Sequence, residues 1–215
     1  MTQAPTERTR VKRLNKRAHY DEATIHPILD AQPMCTVAYV FNGSPYVTPT
    51  LQWREGNHIY WHGSAASRML EASEEAQVCV NVTIFDGMVM ARSGFNHSCN
   101  YRSVMAFGRA FKVKERDEKE MRLKNFMEHL YPGRWDILRK MTDKESKATT
   151  MLGLELNEVS AKMRNGPPGD DEEDYALPLW AGVIPMVTTM LKPLDDPRLI
   201  AGHTPPAHVT DFKIG

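Results

Sequence analysis

The sequence predicts a mainly β, α+β fold, a small closed antiparallel barrel with peripheral helices. Three observations predict it. Short apolar runs with strand-like alternation recur along the chain, Asn-Gly and Asp-Gly turns separate several of them, and they are not interleaved with long helices. The last point argues against a doubly wound parallel sheet. Roughly seven or eight strands and three or four helices are expected.

Taken in order, Asp21 caps a short helix that buries Ile25, Ile28 and Leu29, with Pro27 placed near its first turn. Cys35–Phe41 is a nearly continuous apolar run. Asn42-Gly43 turns it back into Pro45–Trp53, and Asn57–His62 follows the Glu55-Gly56 turn as a third strand. Gly63 and Ser64 open a helix carrying Ala65, Ala66, Met69, Leu70 and Ser73 at helical spacing. Val78–Phe85 alternates cleanly, and Asp86-Gly87 turns the chain into Met88–Arg92. Tyr101–Val113 reads as a long strand, apolar on both faces as far as Phe107, as where one face meets core and the other a partner. Asp117 and Glu120 form a capping box for a helix reaching Leu130, and a second helical stretch covers Arg134–Met141. In Met151–Met163 the apolar parity flips between Leu156 and Val159, which predicts one strand with a single-residue bulge. Leu177–Val187 supplies the last strand.

Composition bounds the function. The chain has 215 residues, 41% hydrophobic and 25% charged, enough apolar material for a packed core. Its 27 basic and 27 acidic residues leave no net charge, which argues against a dedicated nucleic-acid binder. No apolar run approaches the ~20 residues of a membrane span, and the basic start lacks the apolar core of a secretory signal. A cytoplasmic protein with reduced Cys35, Cys79 and Cys99 is therefore expected. The organisation expected is a basic arm over 1–17, a main domain over 18–190 and a tail over 191–215. The arm holds Arg8, Arg10, Lys12, Arg13, Lys16 and Arg17 against Glu7, and reads as a phosphate or partner grip or as a solvated lead-in. The run Asp170–Asp174 after Gly166-Pro167-Pro168-Gly169 reads as an acidic surface connector.

The most informative stretch is His62-Gly63-Ser64-Ala65-Ala66-Ser67-Arg68 at a strand-to-helix junction. Backbone N–H groups, two serine hydroxyls and a guanidinium fork together suit a phosphate monoester. The same residues also read as an ordinary serine cap followed by an exposed arginine. In the preceding strand, alternation puts Val47, Leu51 and Trp53 on one face and Thr48, Thr50 and Gln52 on the other. The polar face could hold the sugar and ring edge of a nucleotide-like ligand, or simply meet solvent. His97-Ser98-Cys99-Asn100-Tyr101-Arg102-Ser103 crowds polar groups at the start of the longest strand, but no second His/Cys pair has ligand spacing, so no metal site is expected. No GxSxG, HExxH, Walker or GxGxxG pattern occurs. Trp180 lies among small residues, as a core residue or as the edge of a flat ligand.

Pro45–Gln52, Ile59–Arg68 and Asn100–Ala110 together resemble the pyridoxamine-5′-phosphate-oxidase-like flavoproteins, in the branch that includes nitroimidazole-resistance reductases, over about Arg17–Val187. The resemblance implies a split β-barrel binding FMN at a homodimer interface. By that resemblance Ser67 and Arg68 hold the FMN phosphate, with His62, Gly63 and Ser64 at the same strand end. Thr48, Thr50 and Gln52 lie along the flavin, Arg102 and Ser103 meet its ribityl–phosphate part, and Trp180 comes from the second subunit. Two departures from the pattern speak against a pyridoxamine-phosphate oxidase: Met69 replaces the lysine after the arginine, and Ala181–Met186 carries no charge to grip a substrate phosphate. The implied activity is an FMN-dependent oxidoreductase that passes a hydride from NAD(P)H to a small acceptor such as a nitroaromatic or quinone. No side chain is needed as acid or base, and His97 and Tyr101 are candidates for the substrate face. The alternatives are a flavin carrier or sensor without turnover, and a haem-binding split barrel with His62 or His97 as axial ligand.

Overall fold

The computed structural model describes residues 3–212, so positions 1–2 of the expected arm and 213–215 of the expected tail lie outside the described residues. The chain forms β1 (Ala18–His19), α1 (Glu22–Ala31), β2 (Met34–Phe41), β3 (Ser44–Glu55), β4 (His58–Ser64), α2 (Arg68–Ser73), β5 (Gln77–Met90), β6 (Ser98–Arg109), β7 (Phe111–Lys112), α3 (Arg116–Leu130), α4 (Asp143–Ala148), β8 (Thr149–Glu155), β9 (Glu158–Arg164), β10 (Gly182–Pro185) and α5 (Ala207–Thr210). All pairings are antiparallel, in the order β1-β9-β6-β5-β2-β3-β4-β8-β7, with β10 added to β5. The mainly β architecture with peripheral helices is as predicted. The closed barrel is not: the path of strands is open among the described residues.

The opening arises in β3. Its residues Ser44–Leu51 pair with β2, whereas Gln52–Glu55 pair with Trp61–His58 of β4. The long strand therefore bridges two half-sheets, and the strands diverge beyond the Gln52–Trp61 rung. The main core lies between the half-sheets and includes Val37, Ile59, Trp61, Val80, Val104 and Leu152, with α1 contributing Ile25, Ile28 and Leu29. A second cluster of Trp53, Tyr60, Val113, Phe126, Leu130 and Met151 packs α3 on the opposite face of β4.

Several elements differ from the sequence reading, each for a local reason. The predicted strand over Met151–Met163 is two strands. The chain turns at Leu156-Asn157 and crosses from β4 in one half-sheet to β6 in the other, and apolar alternation cannot distinguish such a turn from a bulge. Conversely, Asp86-Gly87 is a bulge inside the single strand β5 rather than a turn. Gly87 has φ of 151°, and a Cβ there would stand 2.5 Å from the Ile184 carbonyl of β10, so glycine permits this crossing. β4 continues through Ser64 and α2 starts only at Arg68, later than expected. Pro27 sits beyond the first turn of α1, where its ring nitrogen offers no donor to the Ala23 carbonyl. The capping box is formed by Thr142 and Glu145 at α4, not by Asp117 and Glu120; α3 begins after Glu115 without a side-chain cap. Only a 3-10 turn, Trp135–Ile137, forms in the predicted Arg134–Met141 helix, and the last strand shortens to Gly182–Pro185.

The arm and the acidic run are both tied to the body. Arg8 donates to Glu158 (2.7 Å) and Gln77 (3.1 Å) and lies over the Phe107 ring. The buried carboxylate of Asp170 accepts from the Arg92 backbone N–H (2.9 Å) and guanidinium (3.0 Å). Among the described residues, no helix is long and apolar enough to cross a membrane.

Candidate functional site

The fork between β3 and β4 brings the predicted phosphate and flavin residues to one place. His62, Gly63 and Ser64 keep their pairing with β8 (Met151, Thr150, Thr149) but have no partner in β3. Thr48 and Thr50 on the other prong pair only with Val37 and Cys35 of β2. Polar residues of β3 and the end of β4 therefore stand on two prongs that are no longer paired with each other.

At the end of the β4 prong, Ser64–Ser67 forms a tight turn in which the Ser67 N–H donates to the Ser64 carbonyl (2.9 Å) and the Ala66 N–H to the Ser64 hydroxyl (3.3 Å). Ser67 is the N-cap of α2, yet its hydroxyl makes no cap hydrogen bond. Arg68 is exposed and makes no ion pair among the described residues. Its guanidinium stacks 4.5 Å from the Tyr46 ring centroid and 5.6 Å from that of Phe41. Tyr46 in turn stacks on Tyr39, whose hydroxyl is 3.3 Å from that of Thr48. An uncompensated cation held on an aromatic bed beside hydroxyl groups is suited to an anion, because no carboxylate has to be displaced. The bed of Tyr39, Phe41 and Tyr46 escaped the sequence reading. It could have been suspected only from the cross-strand Tyr39–Tyr46 register around the Asn42-Gly43 turn.

The predicted split of faces in β3 has an inverted meaning. Thr48, Thr50 and Gln52 share the inward face with Tyr39 and Val37, whereas Val47 and Leu51 are exposed on the outside. Gln52 is fully buried and its Nε2 donates to the carbonyls of Leu29 (2.7 Å) and Gln32 (2.9 Å), tying α1 to the fork. Its Oε1 has no partner, and neither do the Trp61 Nε1 on the same rung and the adjacent His62 Nδ1. Three orphaned polar atoms on neighbouring residues are unusual for a packed interior.

The other predicted residues are not gathered here. Arg102 makes a bidentate pair with Asp86 (3.0 and 2.8 Å), and Ser103 donates to the Lys162 carbonyl (3.2 Å). Both lie on β6, separated from β3 by β5 and β2. His97 is exposed, with its Nδ1 2.8 Å from the Ser93 carbonyl, and Tyr101 faces Arg164 across the β6–β9 pairing. Trp180 is 67% exposed and folds over Gly182, away from the core of this chain. Burial pushes the Cys35 thiol up to about 12, which excludes it as a thiolate nucleophile at neutral pH. No group of three His, Cys, Asp or Glu side chains suited to a metal exists among the described residues.

Behind the fork, on the α3 side of β4, His62 lines an apolar cavity of about 390 Å³ with Phe126, Met127, Trp135, Arg139 and Glu145. Burial lowers the pKa of the His62 imidazole from its ordinary value, which favours the neutral ring. A second apolar cavity, about 520 Å³, lies between Tyr131 and the C-terminal segment at Met190, Leu191 and Phe212. It is lined by His208, whose buried Nε2 is also unpartnered.

The fold and the fork define a class. A family model for pyridoxamine 5′-phosphate oxidase matches residues 21–163, two thirds of the chain, and the protein belongs to this flavin-binding family. Among solved structures, the chain is similar to the flavocytochrome Anf3 from Azotobacter vinelandii, with 46% identity over 100% of both chains and a TM-score of 0.96. It is also similar to the FAD and haem binding protein from Mycobacterium smegmatis, with 36% identity over 91% of this chain and 97% of that one, at a TM-score of 0.87. A candidate 5-nitroimidazole antibiotic resistance protein from Bacteroides thetaiotaomicron is 19% identical over 67% of this chain and 85% of that one, at a TM-score of 0.54, and shares the fold alone. No curated protein sequence matches the chain.

Proposed function

We propose that the protein is a two-cofactor redox protein that would hold a flavin at the β3–β4 fork and a haem on the same chain. The observation that carries the flavin is Arg68, an unpaired guanidinium on an aromatic bed beside the Ser67 hydroxyl and Thr48. Ser67 and Arg68 hold the phosphate, Thr48 and Thr50 meet the flavin, and Gln52 shapes the base of the fork. The sequence reading called for FMN. The FAD and haem binding protein, alike over nearly the whole chain, favours FAD instead. Arg102 is held by its bidentate pair with Asp86 and Ser103 by the Lys162 carbonyl, both on the sheet and away from the fork.

The haem rests on the same two relatives and on a feature of this chain. Two apolar cavities of this chain are each lined by a histidine with a buried, unpartnered ring nitrogen. An apolar slot lined by an imidazole fits the chemistry of haem, a flat macrocycle ligated by nitrogen. When bound, the flavin supplies two-electron uptake and the haem one-electron chemistry. The protein's part is to hold the groups, exclude water and keep the imidazole unprotonated. The haem takes the place of the nitroaromatic or quinone expected from the sequence. NAD(P)H remains the donor in this reading.

A homodimer completes the site. The outer face of the larger half-sheet exposes Met34, Val40, Val47, Leu51, Phe85 and Met105, more apolar surface than an unpartnered sheet face ordinarily carries. A second copy covering it would explain the exposure of Trp180 and bring the partner's Trp180 towards the fork.

The test is the absorption spectrum of the purified protein, with released cofactors identified by mass and followed by anaerobic NAD(P)H titration. A flavin envelope that bleaches on reduction, together with a Soret band that shifts, is the expected result. Flavin without haem restores the simple reductase or carrier. A protein that takes up neither removes the basis of the reading.

A further inference from the structure

Among the described residues, two apolar cavities are lined by a histidine with an unpartnered ring nitrogen, and the structure distinguishes them. Resting on the two-cofactor reading above, we infer that the haem occupies the cavity between β4, α3 and the 135–145 segment, with His62 as its axial ligand and Arg139 as the partner of its carboxylates.

Rigidity is the first argument, because metal ligands need a scaffold that fixes their direction. His62 lies on β4, where it pairs with Met151 of β8. Its ring is packed edge-on against Trp53 (centroids 5.8 Å apart) and Phe126 (5.1 Å). His208 lies on α5, a four-residue helix in a C-terminal segment without strand pairing. Shape is the second. Phe126, Met127 and Trp135 offer broad apolar walls, and Arg139 and Glu145 lie at the same cavity, which matches an apolar plate with acidic substituents. Arg139 forms a bidentate pair with Glu145, so binding a carboxylate would exchange one acidic partner for another. Glu145 would not be stranded, because it also accepts from the Thr142 N–H and hydroxyl (both 2.8 Å) as the cap of α4. The third argument is adjacency. His62 immediately precedes Gly63 and Ser64, so the same strand end would carry the haem ligand on one face and the flavin site at its edge. His97, the other histidine that the sequence offered, is exposed and outside both cavities.

The experiment is a haemin titration of full-length protein depleted of haem and saturated with flavin, in wild type and in His62→Ala, His62→Gln, His208→Ala and His97→Ala. The readouts are Soret position, haem stoichiometry and, separately, retained flavin as the check that each variant is folded. Wild type, His208→Ala and His97→Ala should share one spectrum and one affinity. The His62 variants should lose that spectrum and bind haem at least about 10-fold more weakly, more than loss of a residue that only supports a ligand would cost. Added imidazole should restore the wild-type spectrum to His62→Ala, which a merely structural histidine would not allow. Arg139→Ala should weaken binding without moving the Soret band. A folded His62→Ala protein with wild-type spectrum and affinity, or loss confined to His208→Ala, would overturn the assignment while leaving the two-cofactor reading intact. A wild-type protein that takes up no haem would overturn both.

Discussion

Replacing Arg68 with alanine isolates the anion-binding role of the fork. Arg68 is exposed, forms no ion pair among the described residues and touches the body through the faces of Tyr46 and Phe41. An exposed stacking contact of this kind contributes about 0.5–1 kcal/mol, so stability should fall by no more than that. The guanidinium's hydrogen bonds to a phosphate are charge-assisted, each worth about 1.5–3 kcal/mol when a charged partner is lost. That corresponds to a dissociation constant raised by roughly 10–150-fold for one such bond. Fluorescence titration of the apoprotein with FMN and FAD reads the loss directly, and urea denaturation reads the fold. A variant that purifies with full flavin would remove Arg68 from the site. A variant that unfolds would show that the aromatic stack, not the ligand, is what the arginine serves.

Four further outcomes are expected. Glu55 accepts from Trp53 Nε1 (2.7 Å), Arg122 (2.6 Å) and Asn125 (2.8 Å), joining β3 to α3. Glu55→Ala should therefore lower unfolding free energy by about 2 kcal/mol or more in chemical denaturation. At Gly153 a Cβ would stand 2.4 Å from the Phe111 ring and 2.8 Å from the Tyr60 ring. Gly153→Ala should accordingly cost about 1–3 kcal/mol, read as a lowered melting temperature. Burial lowers the His62 pKa from its ordinary 6.5, so the unfolded chain binds the proton more readily than the native one. This contribution to stability is complete above pH 6.5 and declines as pH falls below it towards the native value. Urea titrations of haem-free protein at several pH values should show that slope, and His62→Phe should flatten it. Finally, Val47→Glu on the exposed sheet face should convert a dimer to monomers in analytical ultracentrifugation, and a wild-type monomer would refute the proposed interface.

The sequence by itself was enough for the mainly β class, for α1 with its buried Ile25, Ile28 and Leu29, and for the Asn42-Gly43 hairpin, because these depend on local periodicity and turn chemistry. It also marked out Ser67 and Arg68, since serines, glycine and arginine after a strand are a local arrangement. What a parity flip or an Asp-Gly pair means depends on which strand lies alongside. That is why Leu156-Asn157 became a crossing between half-sheets and Asp86-Gly87 a bulge. The fork itself is a matter of register: β3 changes partners between Leu51 and Gln52, and nothing local in Thr50-Leu51-Gln52 says so. The same holds for the ligand-shaped features. Arg68 acquires its bed from Tyr46 across a hairpin. The cavity at His62 needs Phe126, Met127, Trp135 and Arg139, all far later in the chain, folded back onto β4. An unpartnered nitrogen exists only once its surroundings are packed, so the tertiary structure alone could separate His62 from His97.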